Sequence, residues 1–170
     1  MSSNLGVMSN LGILVPAAES RTAEYSRIYE ENRHRIYSLA FWMTDNELTA
    51  EELATSVFLR AFAASSSPTT EQIDYAFMAE VRETTAVGTL TLNCSASSAT
   101  TSVRGNLKRV YLERAVVQLP ATEKLIFLMH DVDGYDHQRI AHLLGIQEQE
   151  SQYGLHQARV LIRELVSQMS

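Results

Sequence analysis

The run Gln147-Glu148-Gln149-Glu150-Ser151-Gln152-Tyr153 carries the side-chain chemistry of base recognition in an unusual mixture. Gln149 and Gln152 bear the amide that pairs bidentately with adenine. Glu148 and Glu150 can accept from a cytosine amino group but repel the phosphate backbone. His156, Arg159 and Arg163 follow on the same stretch and suit about two or three phosphate contacts, for a log–log salt slope of about −2 to −3. A polar face of this kind serves equally as the solvated side of a protein-binding helix.

No other constellation assembles a reaction. Asp131-Val132-Asp133-Gly134 opens like a calcium loop, but Tyr135 stands where a ligand is required, glycine comes too early and no Glu follows at the twelfth position. His137 and His142 are five apart, on different faces of a helix, with no cysteine or carboxylate set to complete a tetrahedral site. Ser, His and Asp occur without a nucleophile elbow, an HExxH pair or a phosphate-cradling glycine loop. The expectation is a protein that is not an enzyme, with no catalytic residue, metal or cofactor.

Composition narrows the classes further. The 170 residues are 45% hydrophobic and 20% charged, enough apolar material to fold. With 14 Lys and Arg against 20 Asp and Glu, the net charge of −6 excludes a chain that gathers nucleic acid as a polycation. The single cysteine, Cys94, has no internal partner, which fits a reducing, cytoplasmic address. The opening residues hold a short apolar patch, Leu11 to Val15, with no basic residue before it and far fewer than the ~20 apolar residues of a membrane span. Residues 1–20 are expected to be a disordered leader, in which a near-repeat of SNLG makes Met8 an alternative start.

The elements that must position the reading run are helical. Ser- and Thr-rich residues 85–105, with Arg104 their one charge, separate residues 21–84 from residues 106–170 and read as a flexible linker. The Thr89-Leu90-Thr91-Leu92 alternation inside it is a weak strand signal. In the first lobe, Tyr25, Ile28, Tyr29, Ile36, Tyr37, Leu39, Ala40 and Met43 form the stripe of a long helix. Thr49 and Glu52 then read as a capping box for a second helix bearing Leu53, Ala54, Val57, Phe58 and Ala61. Pro68 suits the first turn of a third helix with Ile73, Phe77 and Val81, and Trp42 beside Phe41 is expected to fill a core. In the second lobe a helix with Leu107, Val110, Tyr111, Ala115 and Val117 stops before Pro120, and a short apolar helix spans 122–131. Asp136 caps a helix that ends at Gly145, and a last helix carries Leu155, Ala158, Ile162, Leu165 and Val166. Ala141, Gly145 and Ile146 supply the small residue, the left-handed corner and the inward apolar residue of a helix-turn-helix, while Ser151 stands where an apolar knob is usual.

These segments resemble a known family. YSRIYEENRHRIYSLAFWMTDNELTAEELATSVFLRAF resembles region 2 of sigma-70 factors of the extracytoplasmic-function (ECF) group, and LERAVVQLPATEKLIFLMHDVDGYDHQRIAHLLGIQEQESQYGLHQARVLIREL resembles region 4. The resemblance implies an all-α protein of two small helical bundles joined by a flexible linker, which directs core RNA polymerase to promoters in the bacterial cytoplasm. It places polymerase binding at Glu51, Glu52, Thr55, Val57 and Phe58, with Glu52 standing for the acid of the family's D-x-x-Q segment and Thr55 replacing its glutamine. It places upstream promoter DNA against Gln149, Gln152, Tyr153, His156, Arg159 and Arg163, a contact expected to be weak without polymerase. The family's minus-ten helix ends in Arg-Asn where this chain has Glu83-Thr84, and the usual G-T-V-K-S-R reading segment is replaced by Gln149 to Gly154. An anti-sigma factor is a further candidate partner; a membrane is not. The alternative is a sigma paralogue that keeps the fold, has lost promoter reading and acts by binding polymerase or an anti-sigma factor.

Overall fold

The computed structural model describes residues 8–94 and 109–169, all of whose regular structure is helical. Three helices make the first lobe: α1 (Met8–Thr44), α2 (Glu47–Ala64) and α3 (Thr70–Thr84). Four make the second: α4 (Arg109–Val117), α5 (Ala121–Phe127), α6 (His137–Leu144) and α7 (Glu148–Met169). The all-α expectation holds, and the weak strand signal at residues 89–92 is not borne out as a strand. The stretch expected to be a disordered leader is helical from Met8 onward. Arg21 Nε and Thr22 Oγ1 donate to the carbonyls of Ala17 and Ala18, one turn back on the same helix.

Local chemistry sets the helix ends, in places one step away from the sequence expectation. Asp45, in the left-handed region at φ 51°, breaks the chain after α1. The N-cap of α2 is Asn46, whose Oδ1 accepts from Thr49 N at 2.9 Å, so Thr49 is the receiver of a cap and not the cap itself. Asn46→Ala is expected to lower stability by about 1 kcal/mol, measured as a shift in the urea midpoint at unchanged m-value. Pro68 is buried ahead of α3 and outside its first turn, because Thr69 is the cap: a full capping box pairs Thr69 and Gln72. The expected helix over 122–131 stops as an α-helix at Phe127 and continues as a π-type turn over Leu128–Val132. Leu107 lies outside the described residues.

One apolar core runs through both lobes. Ile36, Val57, Ile73, Phe77 and Met78 fill the first, and Leu125, Ile126, Leu128, Ile140 and Leu144 the second, all with 2% exposure or less. Ile28, Leu39 and Ala40 from the α1 stripe are buried, whereas Tyr25 and Tyr29 stand half out on its rim. Trp42 and Phe41 pack against the core as expected.

Among the described residues, polar contacts join the lobes at three places. Lys124 Nζ on α5 donates to the Trp42 carbonyl near the end of α1 (3.3 Å), and burial, partly offset by Asp45, lowers its pKa. Arg82 Nη2 on α3 donates to the Leu143 carbonyl (2.9 Å) in the last turn of α6, where helix carbonyls lack intrahelical partners. The largest contact centres on Asp74 of α3, which is 2% exposed. Its carboxylate pairs with Arg35 from α1 and accepts from Tyr135 Oη (2.7 Å) and Arg139 Nη2 (2.7 Å) of the second lobe. Arg35 also donates to Tyr135 Oη (2.9 Å), and the Arg139 guanidinium lies 3.6 Å from the Tyr135 ring centroid.

Candidate functional site

The helix-turn-helix is built as its residue types require. Asp136 Oδ1 caps α6 by accepting from Arg139 N at 2.8 Å. Gly145 closes α6 at φ 69°, ψ 35°, a conformation costly to residues with a Cβ. Ile146 N then reaches back to the Ala141 carbonyl at 3.0 Å, completing a Schellman-type end. The position expected to loosen the motif, Ser151, is fully buried, with its Oγ 2.9 Å from His137 Nδ1. A polar bond across α6 and α7 thus stands in for the apolar knob. His137 stacks on His130 with centroids 4.6 Å apart, and its pKa is lowered by burial and then by His130. His142 meets the edge of Tyr75 at 5.6 Å.

The two carboxylates at the start of α7 have a local role. Glu150 Oε2 accepts from Gln147 N at 2.8 Å, half of a capping box, and Glu148 shares the first turn, where negative charge suits the helix dipole. Gln149, Gln152, Tyr153, His156, Arg159 and Arg163 are all exposed along α7, the face a groove-binding helix would present. Two of them are already engaged. Arg159 forms a two-pronged pair with Asp131, Nε to Oδ2 at 3.0 Å and Nη2 to Oδ1 at 2.7 Å. Burial opposes ionisation of Asp131, but the bonds from Arg159 and His130 outweigh it and hold the carboxyl below its usual range. Tyr153 Oη lies 3.2 Å from Asn93 Oδ1. The cationic handhold on this face is therefore thinner than its composition suggests.

In the first lobe, an open groove of about 1050 Å³ runs between α1 and α2. Glu51, Thr55 and Phe58 line it, together with Tyr25, Tyr29, Arg33, Leu59 and Phe62, which sequence reasoning did not assign. Edge-to-face pairs fix its floor: Tyr25 with Phe62 at 4.9 Å and Tyr29 with Phe58 at 4.8 Å. Glu52 is exposed but lies outside the groove lining. Val57 is 0% exposed and offers no surface to a partner, a correction to its place among the docking residues. It lies about 200° around the helix from Thr55, on the side that also buries Ala50, Ala54 and Ala61. The signal for the missed residues was present: aromatic residues at Tyr25, Tyr29 and Phe62 fall on the edges of their stripes.

Among the described residues no three His, Cys, Asp or Glu side chains converge as a metal site would, and no helix is long and apolar enough to cross a membrane. Fold and site define a class, two-lobed all-helical proteins whose second lobe is a helix-turn-helix. Within that class, residues 109–162 match the family model described as sigma-70, region 4. That match takes in most of the second lobe, and the fold of the chain resembles that of a solved sigma factor. The co-crystal structure of the sigma factor RpoE in complex with the anti-sigma factor NepR from Bartonella quintana is similar, with a TM-score of 0.60 at 14% identity, over 84% of this chain and 96% of that one. No curated protein matches the sequence.

Proposed function

We propose that this chain is an ECF-type sigma-factor-like protein that directs core RNA polymerase to promoters, docking polymerase through the α1/α2 groove and laying α7 against upstream DNA. The observation that carries this reading is the region 4 match over a helix-turn-helix whose Gly145 corner leaves Gln149, Gln152, Tyr153 and His156 exposed on one helix. The anionic chain gives DNA little electrostatic attraction of its own, so the affinity comes from tethering to polymerase, which raises the local concentration of α7 at the promoter. A helix-turn-helix used this way acts as a reader and not as an anchor.

A second reading is favoured by one observation, the engagement of Arg159 by Asp131. It is that of a sigma paralogue without promoter recognition, which acts by binding polymerase or an anti-sigma factor. Run-off transcription with core polymerase over a promoter library separates the two. Discrete start sites are expected, with no shift of promoter DNA by the isolated chain at physiological salt. Polymerase binding without specific starts would replace the first reading with the second.

A further inference from the structure

The segment from Val87 to Cys94 has no strand to pair with among the described residues, yet four of its backbone N–H groups and one carbonyl are bonded by side chains of the second lobe. Gly88 N donates to Thr122 Oγ1 at 3.1 Å. Thr91 N and Leu92 N both donate to one oxygen of Glu123, at 2.6 and 2.7 Å. At Cys94 the Gln157 side chain imitates a neighbouring strand, its Oε1 accepting from Cys94 N and its Nε2 donating to the Cys94 carbonyl at 3.3 Å. Thr122, Glu123 and Gln157 are themselves buried, at 3%, 0% and 3% exposure.

Such an arrangement recognises a peptide backbone turned so that two successive N–H groups face the same way. Without the segment, Thr122, Glu123 and Gln157 would lose these partners, so the same polar side chains are available to another backbone that covers them. Shape supports the same reading. Gly154 lies inside α7, although glycine in a helix interior costs about 1 kcal/mol relative to alanine. A Cβ there would come within 2.9 Å of Leu90 Cδ2 and 2.6 Å of Ile126 Cδ1, so the missing side chain is the notch that receives Leu90. Val87 and Leu92 pack beside it on the core, half-buried.

We infer that the second lobe contains a binding groove for a peptide segment, formed by Glu123, Gly154 and Gln157, and that residues 87–94 are its resident, exchangeable ligand. The groove takes peptides with two successive free N–H groups and a leucine-like side chain just before them. Occupancy also holds Asn93 against Tyr153 on α7; any consequence for DNA reading rests on the function proposed above, whereas the groove itself does not.

The lone cysteine reports on the segment. In the docked state burial, with Glu164 and Glu123 nearby, pushes the Cys94 thiol pKa up. Leu90→Asp, which empties the notch, and Thr91→Pro, which removes one N–H from an exposed position, should each speed reaction of Cys94 with a disulfide reagent about tenfold, through accessibility and a recovered thiolate fraction. Helical circular dichroism should be retained. A fluorescein-labelled peptide AVGTLTLNS, residues 86–94 with serine for the cysteine, should then bind the full-length Leu90→Asp chain. It should bind neither the wild type, whose groove is filled, nor a Leu90→Asp/Gly154→Leu double variant. Unchanged Cys94 reactivity in the folded variants, or no peptide binding by a folded Leu90→Asp chain, overturns the inference. So does unfolding of both single variants, which would make the segment an inseparable part of the core.

Discussion

Asp74→Ala is expected to destabilise the protein by about 3 kcal/mol and to loosen one lobe from the other. The carboxylate is 2% exposed and lies between two guanidinium groups, Arg35 at 18% side-chain exposure and Arg139 at 37%. Its removal leaves those two cations close together beside the Tyr135 hydroxyl, which loses its acceptor. Breaking one partner out of a buried pair typically costs about 3–5 kcal/mol, and the partial exposure of Arg139 sets the expectation at the lower end. Equilibrium urea unfolding gives the stability loss, and small-angle scattering gives the second effect as an increased radius of gyration. Asp74→Asn, which keeps one acceptor for Tyr135, should fall between variant and wild type. A loss below about 1 kcal/mol, within the range of a surface pair, would refute the role of Asp74 as the lobe latch.

The latch was invisible in the sequence for a physical reason. Arg35, Asp74, Tyr135 and Arg139 belong to three helices and a turn, and nothing in local spacing says that they converge. What was legible is what a few neighbouring residues decide alone. Asp136 caps α6 because its side chain meets an N–H three residues on, and Gly145 turns the corner because it lacks a Cβ. Errors of one to three residues arose where two nearby residues suit one task, as Asn46 and Thr49 do for one cap and Pro68 and Thr69 for the start of the next helix. On α2, proximity in sequence was the wrong guide. Val57 and Phe58 lie beside Thr55 in the chain, but helical rotation sends Val57 into the core, and Phe58 reaches the groove while largely buried. The Leu90 and Leu92 alternation marked a segment that does pack on the core. Its pairing partners were the side chains of Glu123 and Gln157 instead of a strand, and no periodicity announces such a partner.

The electrostatics of the same junction yield a pH-dependent expectation. Asp133 sits beside the latch with one buried carboxylate oxygen lacking a partner among the described residues. Burial raises its pKa from the ordinary 3.8 to about 6; Arg35 from α1 and Arg139 from α6 oppose the rise, and Asp74 from α3 adds to it. Because the folded state holds this proton more tightly than the unfolded chain, the stabilising contribution is complete below about pH 4. It is lost as pH rises through 6, so that ionised Asp133 costs about 3 kcal/mol at neutral pH. Asp133→Asn removes this titration. Other groups move in or near the same range, His137 with a lowered pKa and Asp131 also lowered, and both contribute stability in the opposite sense, lost on acidification. The difference between variant and wild type cancels them. Urea unfolding of both proteins from pH 4 to 8 should show the variant gaining on the wild type as pH rises, by about 3 kcal/mol across the interval, with the midpoint near pH 5. If the two stability curves stay parallel, Asp133 is already ionised at pH 4 and the two arginines, not burial, govern its charge.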